Sequence, residues 1–221
     1  LNSANNNTLV NNTVLAQGSG ANNYGVRLFS TVSGNVVSGN SITTNGTTTN
    51  YGMYLSSFAN NNTLLNNTVL AQGSGNENYG VYLVTTVSDN VVQGNRISTN
   101  GLASNHGLFL SSSANNNTIS NNTILTQGAS SANYGIFINS GSANRVSGNN
   151  ITTNGTSSNV GILLQSATNS NVTDNVILTR GTGSSNIGMS FATAASLTVS
   201  GNRITTSGAD SNYGMYFSSS A

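Results

Sequence analysis

Acid–base chemistry has few side chains to draw on in this chain of 221 residues. The carboxylates are Glu77, Asp89, Asp174 and Asp210, the cations are five arginines, and His106 is the single histidine. Cleaving or rearranging a glycosidic linkage takes two carboxyl groups within about 10 Å of each other. Counted from an asparagine that recurs in every repeat, the four carboxylates fall at +10, −6, −1 and +8. They therefore belong to different sides or heights, and no two stack. Arg96 and Arg203 share one position, directly after that asparagine, but stand four repeats apart. His106 occupies the place that several other repeats give to tyrosine and reads as a tolerated substitution. No Ser-His-Asp set and no metal-ligand cluster can be assembled from such residues. The recurring Asp of calcium-binding β-rolls is missing, and so is cysteine. The expectation is a protein that is not an enzyme and that carries neither cofactor nor metal.

The elements that position these residues come from a repeat. Asn12, Asn40, Asn67, Asn95, Asn122, Asn149, Asn175 and Asn202 follow one another at gaps of 28, 27, 28, 27, 27, 26 and 27 residues. A β-branched aliphatic lies two positions after each, from Val14 to Ile204, and another aliphatic three before, from Leu9 to Val199. A third apolar pair follows a glycine in each unit, from Val26/Leu28 to Met215/Phe217. Apolar residues separated by one outward position have the period of a strand. Three such segments per unit, and no proline, predict a parallel β-helix of eight coils, about 27 residues each, with three short strands per coil. The crossover rule makes it right-handed. Residues 1–221 form one solenoid domain, or a segment of a longer array. At a corner the recurrent Asn donates to, and accepts from, its copy one coil away, as in other stacked β-structures. A further asparagine near the third-strand glycine, from Asn23 to Asn212, reads as a turn residue in all eight units. Units also alternate between forms such as NNTVLAQG at 66–73 and GNRISTNG at 94–101, a two-coil super-repeat.

The pattern Asn62-Thr-Leu-Leu-Asn-Asn67-Thr-Val69, seen again as Asn117-Thr-Ile-Ser-Asn-Asn122-Thr-Ile124, resembles the right-handed parallel β-helix repeat. The resemblance covers essentially the whole chain. It implies the fold of pectate-lyase-like enzymes, alginate epimerases, carbohydrate-binding helices and microbial surface proteins. One fold hosts many functions, so it does not select among them.

Composition narrows the partners. A net charge of +1 without any lysine argues against nucleic acid, whose phosphates need many cations. No run of 18 apolar residues predicts a membrane span, and no leader is recognisable, so a signal peptide is expected to be gone from this chain. The residue between each third-strand apolar pair points outward. Five of these eight are aromatic, Tyr54, Tyr82, Phe109, Phe137 and Tyr216, a stripe suited to another solenoid or to a polysaccharide. Mutual stacking of the rings is the alternative. In strand two the outward residue alternates Leu15, Thr43, Leu70, Ser98, Leu125, Thr152, Leu178, Thr205, which suits a lateral neighbour or simply records duplication. Glycosylation sequons include Asn11, Asn45, Asn66, Asn121 and Asn154, several at an exposed corner. Setting Ala4 of one copy on Ala221 of another gives a ladder spacing of 27, in register. The expected function is an extracellular or cell-surface structural protein that grows head to tail into a filament, stalk or layer. The alternatives are a glycan-binding adhesin module and a non-catalytic relative of the polysaccharide enzymes.

Overall fold

A computed structural model describes residues 3–20 and 22–218. Ala221, on which the register match between copies rests, lies outside the described residues. The first coil contains strands β1 (Thr8–Val10), β2 (Thr13–Gln17) and β3 (Asn23–Phe29). Each of the three heads its own sheet of eight strands, and every strand pairs with its copy in the next coil. All these pairings are parallel and keep equivalent residues in register, as in Ile97↔Ile124 and Val92↔Ile119. The repeat is therefore the coil, and the fold is an all-β solenoid of eight coils.

The alternation of inward aliphatic and outward polar residues sets the core. Leu64, Val92, Ile119, Val146 and Val172 of the first sheet are fully buried. Ile97, Ile124, Ile151 and Ile177 of the second face them, with Leu108/Leu110 and Ile136/Ile138 of the third. Aliphatic residues stack on equivalents all along the axis, so each coil closes the apolar surface of the one before. The third sheet approaches the second closely along a row of glycines. A Cβ on Gly107 would stand 2.6 Å from the Gly135 carbonyl oxygen and collide with Ile124 Cγ2.

Asparagine ladders hold all three corners. In the row from Asn12 to Asn202, each backbone N–H and each Nδ2 donates to Oδ1 of the next coil's asparagine, as in Asn95 to Asn122 at 2.9 and 3.0 Å. Nδ2 also reaches back, from Asn95 to the Leu64 carbonyl at 2.9 Å. From Asn40 to Asn175 these side chains are almost fully buried. The row from Asn23 to Asn212, expected only as turn residues, is a second ladder, with Asn50 Nδ2 donating to Asn78 Oδ1 at 2.6 Å. A third, unanticipated ladder runs Asn7, Asn35, Asn62, Asn90, Asn117, Asn144, ending where Asn144 N–H donates to Ser170 Oγ at 3.1 Å. Buried backbone amides at a bend cannot all find ladder partners, and the asparagine carboxamide supplies them.

The two-coil super-repeat has a geometric counterpart. The residue before each Asn12-row asparagine has positive φ: Asn11, Gly39, Asn66, Gly94, Asn121, Gly148, Asp174 and Gly201. The side chain of Asn66 leans over Gly94, and a Cβ there would collide with Asn66 Oδ1. Asn and Gly are the residues that tolerate this left-handed conformation best.

Candidate functional site

The outward residues of the third sheet form two adjacent aromatic columns. One is the expected stripe, in which Tyr54, Tyr82, Phe109 and Phe137 are half-buried and Tyr216 is exposed. The other is Tyr24, Tyr51, Tyr79, His106 and Tyr134, one bend earlier in the strand; Tyr51, Tyr79 and His106 are buried. Both columns keep their rings parallel along part of the axis. Tyr82 stacks on Phe109 at 4.8 Å and 3°, and Phe109 on Phe137 at 4.7 Å and 7°. Across the columns the rings of coils three to five meet edge to face, as for Tyr79 and Phe109 at 5.6 Å and 72°, while Tyr51 and Tyr82 lie within 14° of parallel. From Tyr82 to Phe137 ring faces in the stripe are thus turned onto one another, whereas Tyr54 meets Tyr82 at 66°. At the first coil Arg27 continues the packing, its guanidinium 4.3 Å from the Phe29 ring centroid and 5.1 Å from that of Tyr24. Toward the C-terminus the stripe is interrupted, as the sequence predicts, by Leu163 and by Ser190, which is buried.

Burial governs protonation here. It pushes the phenols of Tyr51, Tyr79, Tyr82 and Tyr134 up, with a Tyr82–Ser111 hydroxyl contact of 3.1 Å acting the other way on Tyr82. It also holds His106 down at about 3, a backbone hydrogen bond at Asn105 opposing. The imidazole is neutral at physiological pH, and its Nδ1 is buried without a hydrogen-bond partner.

The four carboxylates are exposed and lie at separate points of the solenoid. Glu77, Asp89 and Asp174 all have positive φ and occupy corner positions, Asp174 standing in the alternating Asn/Gly row. Among the described residues no group of three or more His, Cys, Asp or Glu comes together to hold a metal ion. No helix of the described residues is long and apolar enough to cross a membrane. The sequon residues Asn11, Asn45, Asn66 and Asn121 are exposed and Asn154 is half-buried. Asn11, Asn66 and Asn121 sit at the left-handed corner, while Asn45 and Asn154 lie on the outer face of the second sheet.

That outer face carries three columns. The middle one is the Leu/Thr alternation, in register through Ser98↔Leu125 and Leu125↔Thr152. Around Leu125 lies a groove of about 210 Å³ lined by Arg96, Ser98, Thr123, Leu125, Asn150 and Thr152.

Known proteins share this architecture. The model of the right handed beta helix region matches residues 1–130 and 103–221. The A-module of the Azotobacter vinelandii mannuronan C-5 epimerase AlgE6 superposes with a TM-score of 0.56 at 16% identity, over 95% of this chain and 58% of that one. A mutant of the periplasmic alginate epimerase AlgG gives 0.50 at 14% identity, over 96% and 69%. The Streptococcus pneumoniae surface protein and adhesin PfbA gives 0.46 at 14%, over 98% and 68%. The chain thus spans 58% of the length of the AlgE6 module. Among curated proteins none matches it in sequence. With the family model covering both halves of the solenoid, the chain belongs to the right-handed β-helix family.

Proposed function

We propose that this chain is an extracellular structural solenoid that stacks end to end, the last coil of one copy on the first coil of the next. The observation that carries this reading is the uniform polarity of the asparagine ladder, in which the backbone N–H of each coil donates to Oδ1 of the next. That polarity makes one coil's upper face complementary to another's lower face. Asn175 donates forward to Asn202 Oδ1 at 2.9 Å, so Asn202 of one copy offers donors where Asn12 of the next offers an acceptor. A head-to-tail contact of this kind is heterologous and propagates. A near-neutral chain favours such association.

The test is sedimentation velocity and negative-stain imaging of residues 1–221, with and without Val14→Asp. Filaments from the unmodified chain, lost when a charge enters the first apolar layer, support the reading. Monodisperse monomers overturn it.

A glycan-binding surface module is the second reading, favoured by the half-buried rings of Tyr54, Tyr82, Phe109 and Phe137 and by exposed Tyr216. Retention on an immobilised polysaccharide that falls when Tyr216 and Tyr54 become serine supports it. The dispersal of the carboxylates supplies no catalytic pair for either reading.

A further inference from the structure

The outer face of the second sheet has a parity that an end-to-end contact does not use. Leucine projects from the odd coils, at Leu15, Leu70, Leu125 and Leu178, and a shorter hydroxyl residue from the even ones. The depressions this leaves are real volume: the groove around Leu125 has Ser98 on one side and Thr152 on the other. A ridge-and-hollow row of this kind fits a copy of itself only if odd coils meet even ones.

We infer that this face pairs with the same face of a second copy, with the two solenoid axes antiparallel. The two-fold axis then runs along the strand direction between the fourth and fifth coils. Leu125 of each copy enters the hollow at Ser98 of the other, and Leu70 that at Thr152. The outer pairs follow the same rule, Leu178 on Thr43 and Leu15 on Thr205. Every leucine meets a hollow and none meets a leucine.

The flanking columns are compatible with the same arrangement. Arg96 and Arg203 share the column before the leucines, and Arg180 lies in the column after them. In the antiparallel pair Arg96 faces Thr123, Arg203 faces Thr13, and Arg180 faces Asn45. In a parallel pair the two-fold would run along the solenoid axis: each leucine would face its own copy, and the flanking columns would exchange, setting Arg180 against Val176. The flanking column contributes amide-to-amide contacts, with Asn100 opposite Gln127. Strands of about six residues at about 3.3 Å and eight coils at about 4.8 Å make a face whose pairing buries about 1,500 Å² in total, the size of a stable isologous interface.

The inference does not rest on end-to-end stacking, and thiol crosslinking separates the two. The chain has no cysteine, so single replacements report cleanly. Leu125→Cys, beside the axis, is treated with a bis-maleimide spanning about 10 Å, the spacing of packed sheets. Antiparallel pairing yields a covalent dimer. Leu15→Cys yields none, because its two copies lie about 34 Å apart, seven coil spacings of about 4.8 Å. Ser98→Cys, also beside the axis, repeats the test should Leu125→Cys misfold by circular dichroism. Crosslinking of Leu15→Cys as fully as Leu125→Cys overturns the antiparallel arrangement. Failure of both Leu125→Cys and Ser98→Cys in folded protein overturns the interface, whether or not filaments form.

Discussion

The imidazole of His106 lies flat on the ring of Tyr134, centroids 4.8 Å apart and planes within 1°. Tyr79 covers its other face at 5.0 Å and 7°, so a proton on His106 would bring a charge between two rings with little water. Histidine at this position packs as one more ring of the column.

A pH dependence follows. Burial holds His106 down at about 3 against 6.5 for the free side chain. Its contribution is therefore fully present above about pH 6.5 and is lost as pH falls toward 3, with a slope of up to about 1.4 kcal/mol per pH unit. His106→Tyr, which places in this coil the residue of both neighbouring coils, removes that slope. Urea denaturation of both proteins between pH 7 and 4.5 gives the comparison; equal slopes would contradict the account.

Removing one rung of the principal ladder exposes its energetics. Asn122→Ala leaves the Asn95 backbone N–H without its Oδ1 acceptor, takes one of three acceptors from Asn95 Nδ2, and removes the amide donor from the Val92 carbonyl. Each buried group left unpaired costs about 1–3 kcal/mol. The expected loss is about 3 kcal/mol, or about 6–12 °C in melting temperature. Asn12→Ala, in an exposed first rung, should cost under about 1 kcal/mol. Thermal melts of the two variants distinguish a buried ladder from a row of solvated amides.

The inward threonines offer the opposite test. Thr99, Thr126 and Thr153 stack in consecutive coils, fully buried, with hydroxyls lacking hydrogen-bond partners. Replacing the hydroxyl by a methyl of similar size relieves the desolvation cost. Thr126→Val should stabilise the solenoid by about 1 kcal/mol. A destabilised variant in chemical denaturation would mean that the hydroxyl is paired.

The glycine row should tolerate no side chain. Gly107→Ala brings a Cβ against the Gly135 backbone, which cannot move away like a flexible side chain. A cost of about 1–3 kcal/mol is expected from the forced backbone shift. Gly20→Ala, with open space around its Cβ, serves as the control and should melt like the parent.

Fold and repeat were legible in the chain because a solenoid writes its structure one coil at a time. Val69, Ile97 and Ile124 recur at the period that stacks them, and the Asn12-to-Asn202 row follows the same count. The outward placement of Tyr82 and Phe109 and the scatter of the carboxylates could also be read from position within the coil. Other features were hidden because they depend on where a side chain turns after the backbone is set. Asn62, Asn90 and Asn117 differ in no local way from surface asparagines, yet stacking buries them as a ladder. The second aromatic column appears only because Gly80 and its equivalents bend the strand, so that Tyr79 and Tyr82, three residues apart, come to share one face at 5.4 Å. That bend, and the turning of ring faces onto each other, arise from contacts between coils about 27 residues apart. Strand periodicity fixes which residues face outward, but only packing between coils decides what their side chains meet there.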